Sequence, residues 1–341
     1  MGLPEFWFIL IGVLFTGYFV LEGFDFGVGM LMGILGRGDD KKRRAILNTI
    51  GPLWDGNEVW LLTAGGAMFA AFGGWYATMF TAFYIPLLII LVALIVRVCA
   101  IEWRGKINDA KWRQVWDWCI AIGSWIPALL WGVAFANVVR GLPINEKAQF
   151  TGTFWGLLNP YALLGGLTTL IAFLTHGAVF LALKTSGNVQ KDSIKLASRL
   201  SIAMTVVAGA FLVWTQLSYG KGWTWAPVLI AALAAVATIV LTHQGREGWA
   251  FVATSIAIIG TIVTLFGCLF PNVLPSTTAA ANSLTIDNTS SSHYTLVIMT
   301  WAAALITPIV LLYQGWSYWV FRKRISASAI PASTGLASLR G

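Results

Sequence analysis

The stretch GPLWDGNEVWLLTAGG, residues 51–66, sets two carboxylates, Asp55 and Glu58, between Trp54 and Trp60 in otherwise apolar sequence. A second pair, Glu22 and Asp25, stands in LEGFDFGVG at 21–29, with the spacing that puts both on one helix face. An ionisable group inside a transmembrane helix costs at least ~2.5 kcal/mol on insertion scales, so acids retained there have a use. Carboxyl groups withdrawn from water hold protons more tightly and can pass them on, which suits proton relay. Arg97, Glu102 and Asp117 extend the series toward one membrane surface. The competing reading is a structural ion pair, for example Arg97 with Asp55 or Glu102. For Arg97 the two readings weigh equally. One arginine cannot neutralise four acids, so relay is favoured for Asp55 and Asp25.

The elements that must position these residues are membrane spans. Of 341 residues 57% are hydrophobic and 11% charged, whereas average soluble chains carry roughly 25% charged residues. A soluble fold of this size could not bury so much apolar surface. A span needs about 20 apolar residues. Nine segments qualify: 7–35, 46–71, 76–101, 114–138, 156–182, 197–217, 224–242, 248–270 and 294–321. Pro52 and Pro160 stand near the starts of the second and fifth, where a helix tolerates proline best. The expected fold is therefore all-α and polytopic, one integral membrane domain over residues 1–324. Residues 271–293 read as a surface loop, and 325–341 as a disordered cytoplasmic tail.

The basic balance, 22 Lys and Arg against 14 Asp and Glu, fits cytoplasmic loops better than nucleic-acid binding. With the N-terminus outside, the inside loops and the tail hold 18 of the 22 basic residues. That places the C-terminus in the cytoplasm. The N-terminus, MGLPEFWF, lacks a basic leader, so the first apolar segment is expected to remain in the membrane. Asp25 and Asp55 then each lie ten residues from the inner ends of their spans, a depth of ~15 Å. Glu22 and Glu58 lie about a turn deeper.

Other chemistries find little support. Cys99, Cys119 and Cys268 form neither a disulfide framework nor a metal-ligand pattern. No GxxxxGK[ST] stretch offers nucleotide hydrolysis. His176 is the one histidine within a span, and a packing hydrogen bond suits it better than haem ligation. Gly23 and Gly27 form a small-xxx-small pair for close helix approach.

GFDFGVGML at 23–31, GPLWDGNEVWLLTAGGAMFAAF at 51–72, WRQVWDW at 112–118 and FPNVLPSTTAAANSLTI at 270–286 resemble subunit II of cytochrome bd-type quinol oxidases. The resemblance implies two four-helix bundles plus one extra helix. It also implies a haem-bearing partner, subunit I, which carries haems b and d, oxidises quinol and reduces O2 to water. This chain would bind no redox cofactor itself and would scaffold that partner, with room for a structural quinone or phospholipid and for small single-span accessory subunits. Asp55 would line a proton path from the cytoplasm, joined by Asp25, Glu22, Glu58 and Arg97, and Trp60 would stand at the mouth of an oxygen tunnel. Val98 and Gly73 stand where relatives often have proline. The rival reading is a proton-coupled secondary transporter using the same acids, which would work without a haem-rich partner.

Overall fold

A computed structural model describes residues 2–331 and 335–337. In chain order the helices are α1 (Leu3–Leu35), α2 (Asp40–Leu47), α3 (Trp54–Ala71), α4 (Gly73–Ala82), α5 (Tyr84–Trp103) and α6 (Ala110–Arg140). They continue as α7 (Pro160–Lys184), α8 (Asn188–Tyr219), α9 (Trp225–His243), α10 (Glu247–Leu269), α11 (Ile286–Thr289) and α12 (His293–Val320). Among the described residues eight helices are long and apolar enough to cross a membrane. The ninth expected span corresponds to α3, whose 18 residues reach about 27 Å at 1.5 Å per residue. Its polar first turn, with Asp55, Asn57 and Glu58, sets it apart by composition.

Two boundaries differ from the sequence expectation for local reasons. The segment 46–71 does not run as one helix: α2 ends at Leu47, turns carry the chain through Pro52, and α3 begins at Trp54. Proline has no N–H for a helix interior, so it lies before the helix start. The segment 76–101 is split at Phe83 into α4 and α5, with Pro86 in the first turn of α5. Elsewhere polar caps mark the starts. Asp39 accepts from the Lys42 amide, Asp109 from Trp112, and Asn159 from Ala162 just before Pro160. Gly141 (φ 92°) and Gly187 (φ 73°) reverse the chain after α6 and α7 in a region that disfavours other residues.

The helices form two groups. α7 packs on α8, α8 on α9, α9 on α10, and α10 back on α7. In the second group α1 packs on α3 and α6, and α6 on α5, while α1 and α6 both lie against α7. α12 rests against α1 and α3 as the extra helix, with only Leu296 buried. The groups meet through aromatic rings: Phe19 of α1 lies 5.7 Å from Phe173 of α7, and Phe8 lies 5.6 Å from Phe266 of α10, between ring centres. Such pairs contribute about 0.5–1.5 kcal/mol beyond their buried area.

Short strands finish the ends. β1 is Ile107–Asn108, β2 Thr185–Ser186, β3 Asn272–Leu274, β4 Leu284–Thr285, β5 Ile325–Ser326 and β6 Leu336–Ala337. β3 and β4 pair antiparallel, so the 271–293 loop is a hairpin, and Leu142 exchanges amide bonds of 2.9 Å with Pro275 and Thr277. Part of the expected tail is ordered: β5 pairs with β2, β6 with β1, and Arg44 donates to the Pro331 carbonyl at 2.7 Å. Residues 332–334 and 338–341 of that tail lie outside the described residues.

Gly27 and Gly177 are where α1 and α7 touch backbone to backbone. A Cβ on Gly27 would lie 2.1 Å from the Phe173 carbonyl oxygen and 2.7 Å from the Gly177 Cα. Gly27→Ala is therefore expected to cost about 1–3 kcal/mol through overpacking, seen as a lower thermal midpoint in detergent. Gly209→Ala, where an added Cβ meets nothing within 4 Å, should leave the midpoint unchanged.

Candidate functional site

Four helices converge on the Arg97 guanidinium, which is fully buried on α5. Its Nη1 donates to the Glu22 carboxylate of α1, also fully buried, and reaches Glu58 Oε1 of α3 at 3.4 Å. The ring of Phe26 lies 4.8 Å from its Cζ. Gly123 of α6 makes room for this side chain, since a Cβ there would sit 2.7 Å from the Arg97 Cβ. The expected partners Asp55 and Glu102 do not bind Arg97. Both are exposed, and the acids on the inward faces of α1 and α3 take the guanidinium instead.

Asp25, one turn along α1, is buried and accepts from Asn57 Nδ2 at 2.7 Å. Asn57 Oδ1 in turn accepts from the Tyr318 hydroxyl at 2.7 Å and from Gln314 Nε2 at 3.4 Å. Gln314 also accepts from Trp60 Nε1 at 2.9 Å. The Trp60 ring lies on Gly17 of α1, where a Cβ would meet ring carbon at 2.1 Å. Four atoms in this cluster have no protein partner: Glu22 Oε2, Asp25 Oδ1, Arg97 Nε and Arg97 Nη2. Buried polar atoms of this kind ordinarily bind water. The arrangement gathers three carboxyl groups, one guanidinium and several neutral hydrogen-bonding groups from α1, α3, α5 and α12.

Two neighbouring features frame the cluster. A groove of about 520 Å³ runs between α3 and α5, lined among others by Leu61, Gly65, Phe69, Leu91, Leu94 and Trp131. Trp60 is not part of its lining. Nearer the last turn of α1, Asp117 accepts from Arg104 Nε at 2.5 Å and Arg43 Nη1 at 2.8 Å, and Arg104 also binds Asp40 at 2.8 Å. Burial alone would lower the Arg104 pKa, but Asp117 and Asp40 outweigh it and hold the guanidinium above its ordinary value. This network ties α2 to α5 and α6.

Asn57, Gln314, Tyr318 and Arg104 were absent from the sequence expectation. Asn57 lies within the motif between Asp55 and Glu58, and Gln314 and Tyr318 are four apart on one face of α12. That polar stripe on an otherwise apolar helix was the available signal. His176 is buried with Nδ1 2.7 Å from the Thr254 hydroxyl and Nε2 3.1 Å from the Val20 carbonyl. Its ring stacks on Phe251 at 4.6 Å, so it serves helix packing.

Residues 3–321 match the family model described as cytochrome bd terminal oxidase subunit II. The chain belongs to that family. It is 41% identical over 330 residues to cytochrome bd ubiquinol oxidase subunit 2 of Bacillus subtilis, covering 95% of this chain and 97% of the relative. It is 36% identical over 366 residues to cytochrome bd-I ubiquinol oxidase subunit 2 of Escherichia coli, covering 96% of both chains. A chain of the bd oxidase from Geobacillus thermodenitrificans shares the fold at TM-score 0.73 and 19% identity, across 95% of this chain and all of the other. As a bd subunit II family member, the chain is a multi-pass membrane protein.

Removing one member of a buried pair leaves an uncompensated charge, which costs about 3–5 kcal/mol. Arg97→Met should accordingly lower the thermal midpoint sharply, and Glu22→Gln added to it should restore part of the loss. A double variant no better than Arg97→Met alone would show that the two side chains act independently.

Proposed function

We propose that this chain is the non-haem subunit of a quinol oxidase complex that reduces O2 to water, and that it supplies the protons. The partner is a haem-bearing subunit I holding haems b and d and the quinol site. The relatives named as ubiquinol oxidase subunits support this reading. The observation that carries it is the convergence of Glu22 and Glu58 on one guanidinium, with buried Asp25 a turn away, beside a face that α3, α5 and α12 leave uncovered. Large apolar side chains crowd that face, among them Leu62, Tyr84, Leu91, Leu305, Ile309 and Leu312.

Reducing O2 to two waters consumes four electrons and four protons. Quinol gives up electrons and releases its protons on one side of the membrane, while this chain brings protons from the other. The Lys and Arg bias supports an outside N-terminus and a start of α3 near the cytoplasm. Asp55, exposed on the first turn of α3, collects protons there. Glu58, with 23% of its side chain exposed, hands them to buried Glu22. One guanidinium balances one carboxylate, so the cluster is neutral only when protons reside on the remaining acids. Asp25, Asn57 and Tyr318 continue the hydrogen-bonded route toward the uncovered face. The apolar groove between α3 and α5 reaches the layer above Arg97 and offers O2 a dry path, with Trp60 near its mouth.

Asp25→Asn and Asp55→Asn should each slow oxygen consumption by the assembled complex at least about tenfold, with haem absorbance retained, as expected for loss of a proton-transfer group. Full turnover with full haem content in both variants would remove these acids from the mechanism. Gly65→Phe puts a ring into the groove from a position where an added Cβ meets nothing within 4 Å. It should raise the KM for O2 several-fold at unchanged kcat; an unchanged KM argues against this entry route.

A further inference from the structure

Trp60, Gln314, Asn57 and Asp25 form an unbroken row of hydrogen bonds across α3, α12 and α1. Its polarity is set by the chemistry of its two ends. An indole N–H can only donate, so the Gln314 atom that faces Trp60 at 2.9 Å is the carbonyl Oε1. Gln314 Nε2 is left to donate inward, to Asn57 Oδ1 at 3.4 Å and to the Gly56 carbonyl at 3.5 Å. Asn57 Oδ1 accepts a shorter bond from the Tyr318 hydroxyl at 2.7 Å. Its Nδ2 must therefore donate, and Asp25 Oδ2 accepts from it at 2.7 Å. The bonds of the row all run from Trp60 towards Asp25.

A one-way row holds only while its last member accepts. A carboxylate only accepts, whereas a carboxylic acid also donates. When Asp25 carries a proton on Oδ2, the Asn57 amide must turn to offer Oδ1 in place of Nδ2. The Tyr318 hydroxyl, donor and acceptor at once, adapts by rotating. Gln314 has no such freedom. To accept from the turned Asn57 it must bring Oε1 inward, which sets Nε2 against the Trp60 N–H, donor against donor. The indole then loses the bond that anchors its ring over Gly17 of α1. Asn57 and Asp25 are buried, but Trp60 is only half-buried, so its ring has a free side. The charged and titratable groups that face Asp25 are Glu22 on its own helix, Glu58 on α3, Arg97 on α5 and Tyr318 on α12. Of the three carboxyl groups, Asp25 is the one bonded to Asn57.

We propose that Asn57 and Gln314 act as an amide relay that seats Trp60 while Asp25 is ionised and frees it when Asp25 takes a proton. The relay is a property of the row itself and holds whatever reaction the chain serves. Within the oxidase reading, and resting on it, the relay ties oxygen access past Trp60 to proton arrival at Asp25. Gln314 and Asn57 are then positioning residues.

The test is fluorine NMR of the complex as purified from membranes, with 5-fluorotryptophan incorporated and the Trp60 line identified by its loss in Trp60→Phe. The measurement needs no turnover, so its outcome is separate from that of the oxidase reading. In the wild type the Trp60 line should give way to a shifted second line as the pH falls and Asp25 takes its proton. Asp25→Asn cannot titrate, and its carbonyl can still accept from Asn57, so it should hold the first line at every pH. Gln314→Leu removes the indole's acceptor and should give a displaced line that no longer responds to pH. A wild-type Trp60 line indifferent to pH, a response that survives Asp25→Asn, or a Gln314→Leu line that still follows pH would overturn the proposal.

Discussion

A guanidinium at the core of a membrane bundle cannot be left unpaired, and Arg97 is fully buried. Its insertion costs several kcal/mol unless an anion and a polarisable surface meet it. Meeting it dictates the geometry of four helices at once. α1 must present Glu22 and Phe26, α3 must bring Glu58 to the same height, and α6 must carry glycine at position 123 so that the α5 backbone comes close. A slip of one residue in α1 would turn Glu22 about 100° away from the guanidinium. The ion pair thus sets helix register as well as charge, a role in which buried polar groups are well attested.

The polarity is confined to one flank. From Arg97 and Asp25 it runs outward through Asn57 to Tyr318, Gln314 and Trp60, so α12 is joined to the bundle largely by hydrogen bonds. An extra helix held this way rests beside the bundle without sealing it, which leaves α3 and α5 open alongside. Helices meant only for lipid have no need of buried acids behind them. The combination of buried acids and an uncovered apolar face is what a neighbouring protein subunit would require.

Much of this was legible in the sequence. Hydropathy set the ends of α1, α6, α7, α9, α10 and α12 to within about four residues, but α8 begins at Asn188, well before the expected 197, because its first turns are polar. It missed the break at Phe83, since both sides of it are apolar and only packing distinguishes α4 from α5. The acids could be read because charge is rare in spans; which way each one faces could not. Asp55 and Glu58 share a motif and a spacing, yet one is exposed while the other reaches Arg97. Tyr318 and Asn57 are neutral and 261 residues apart in the chain, so no local pattern linked them.

The two helix groups use one packing device for different ends. Gly27 and Gly177 let α1 and α7 cross at backbone contact, and each helix carries a polar residue near the crossing: Glu22 on α1, His176 on α7. His176 is closed off, with both ring nitrogens engaged and an aromatic ring stacked against it. Glu22 keeps one oxygen unpartnered beside a cation with spare donors. A satisfied polar group fixes helices in place, whereas buried polar atoms left unpartnered ordinarily bind water. The same close crossing therefore joins a fully engaged polar site on α7 to one on α1 that keeps hydrogen-bonding capacity in reserve.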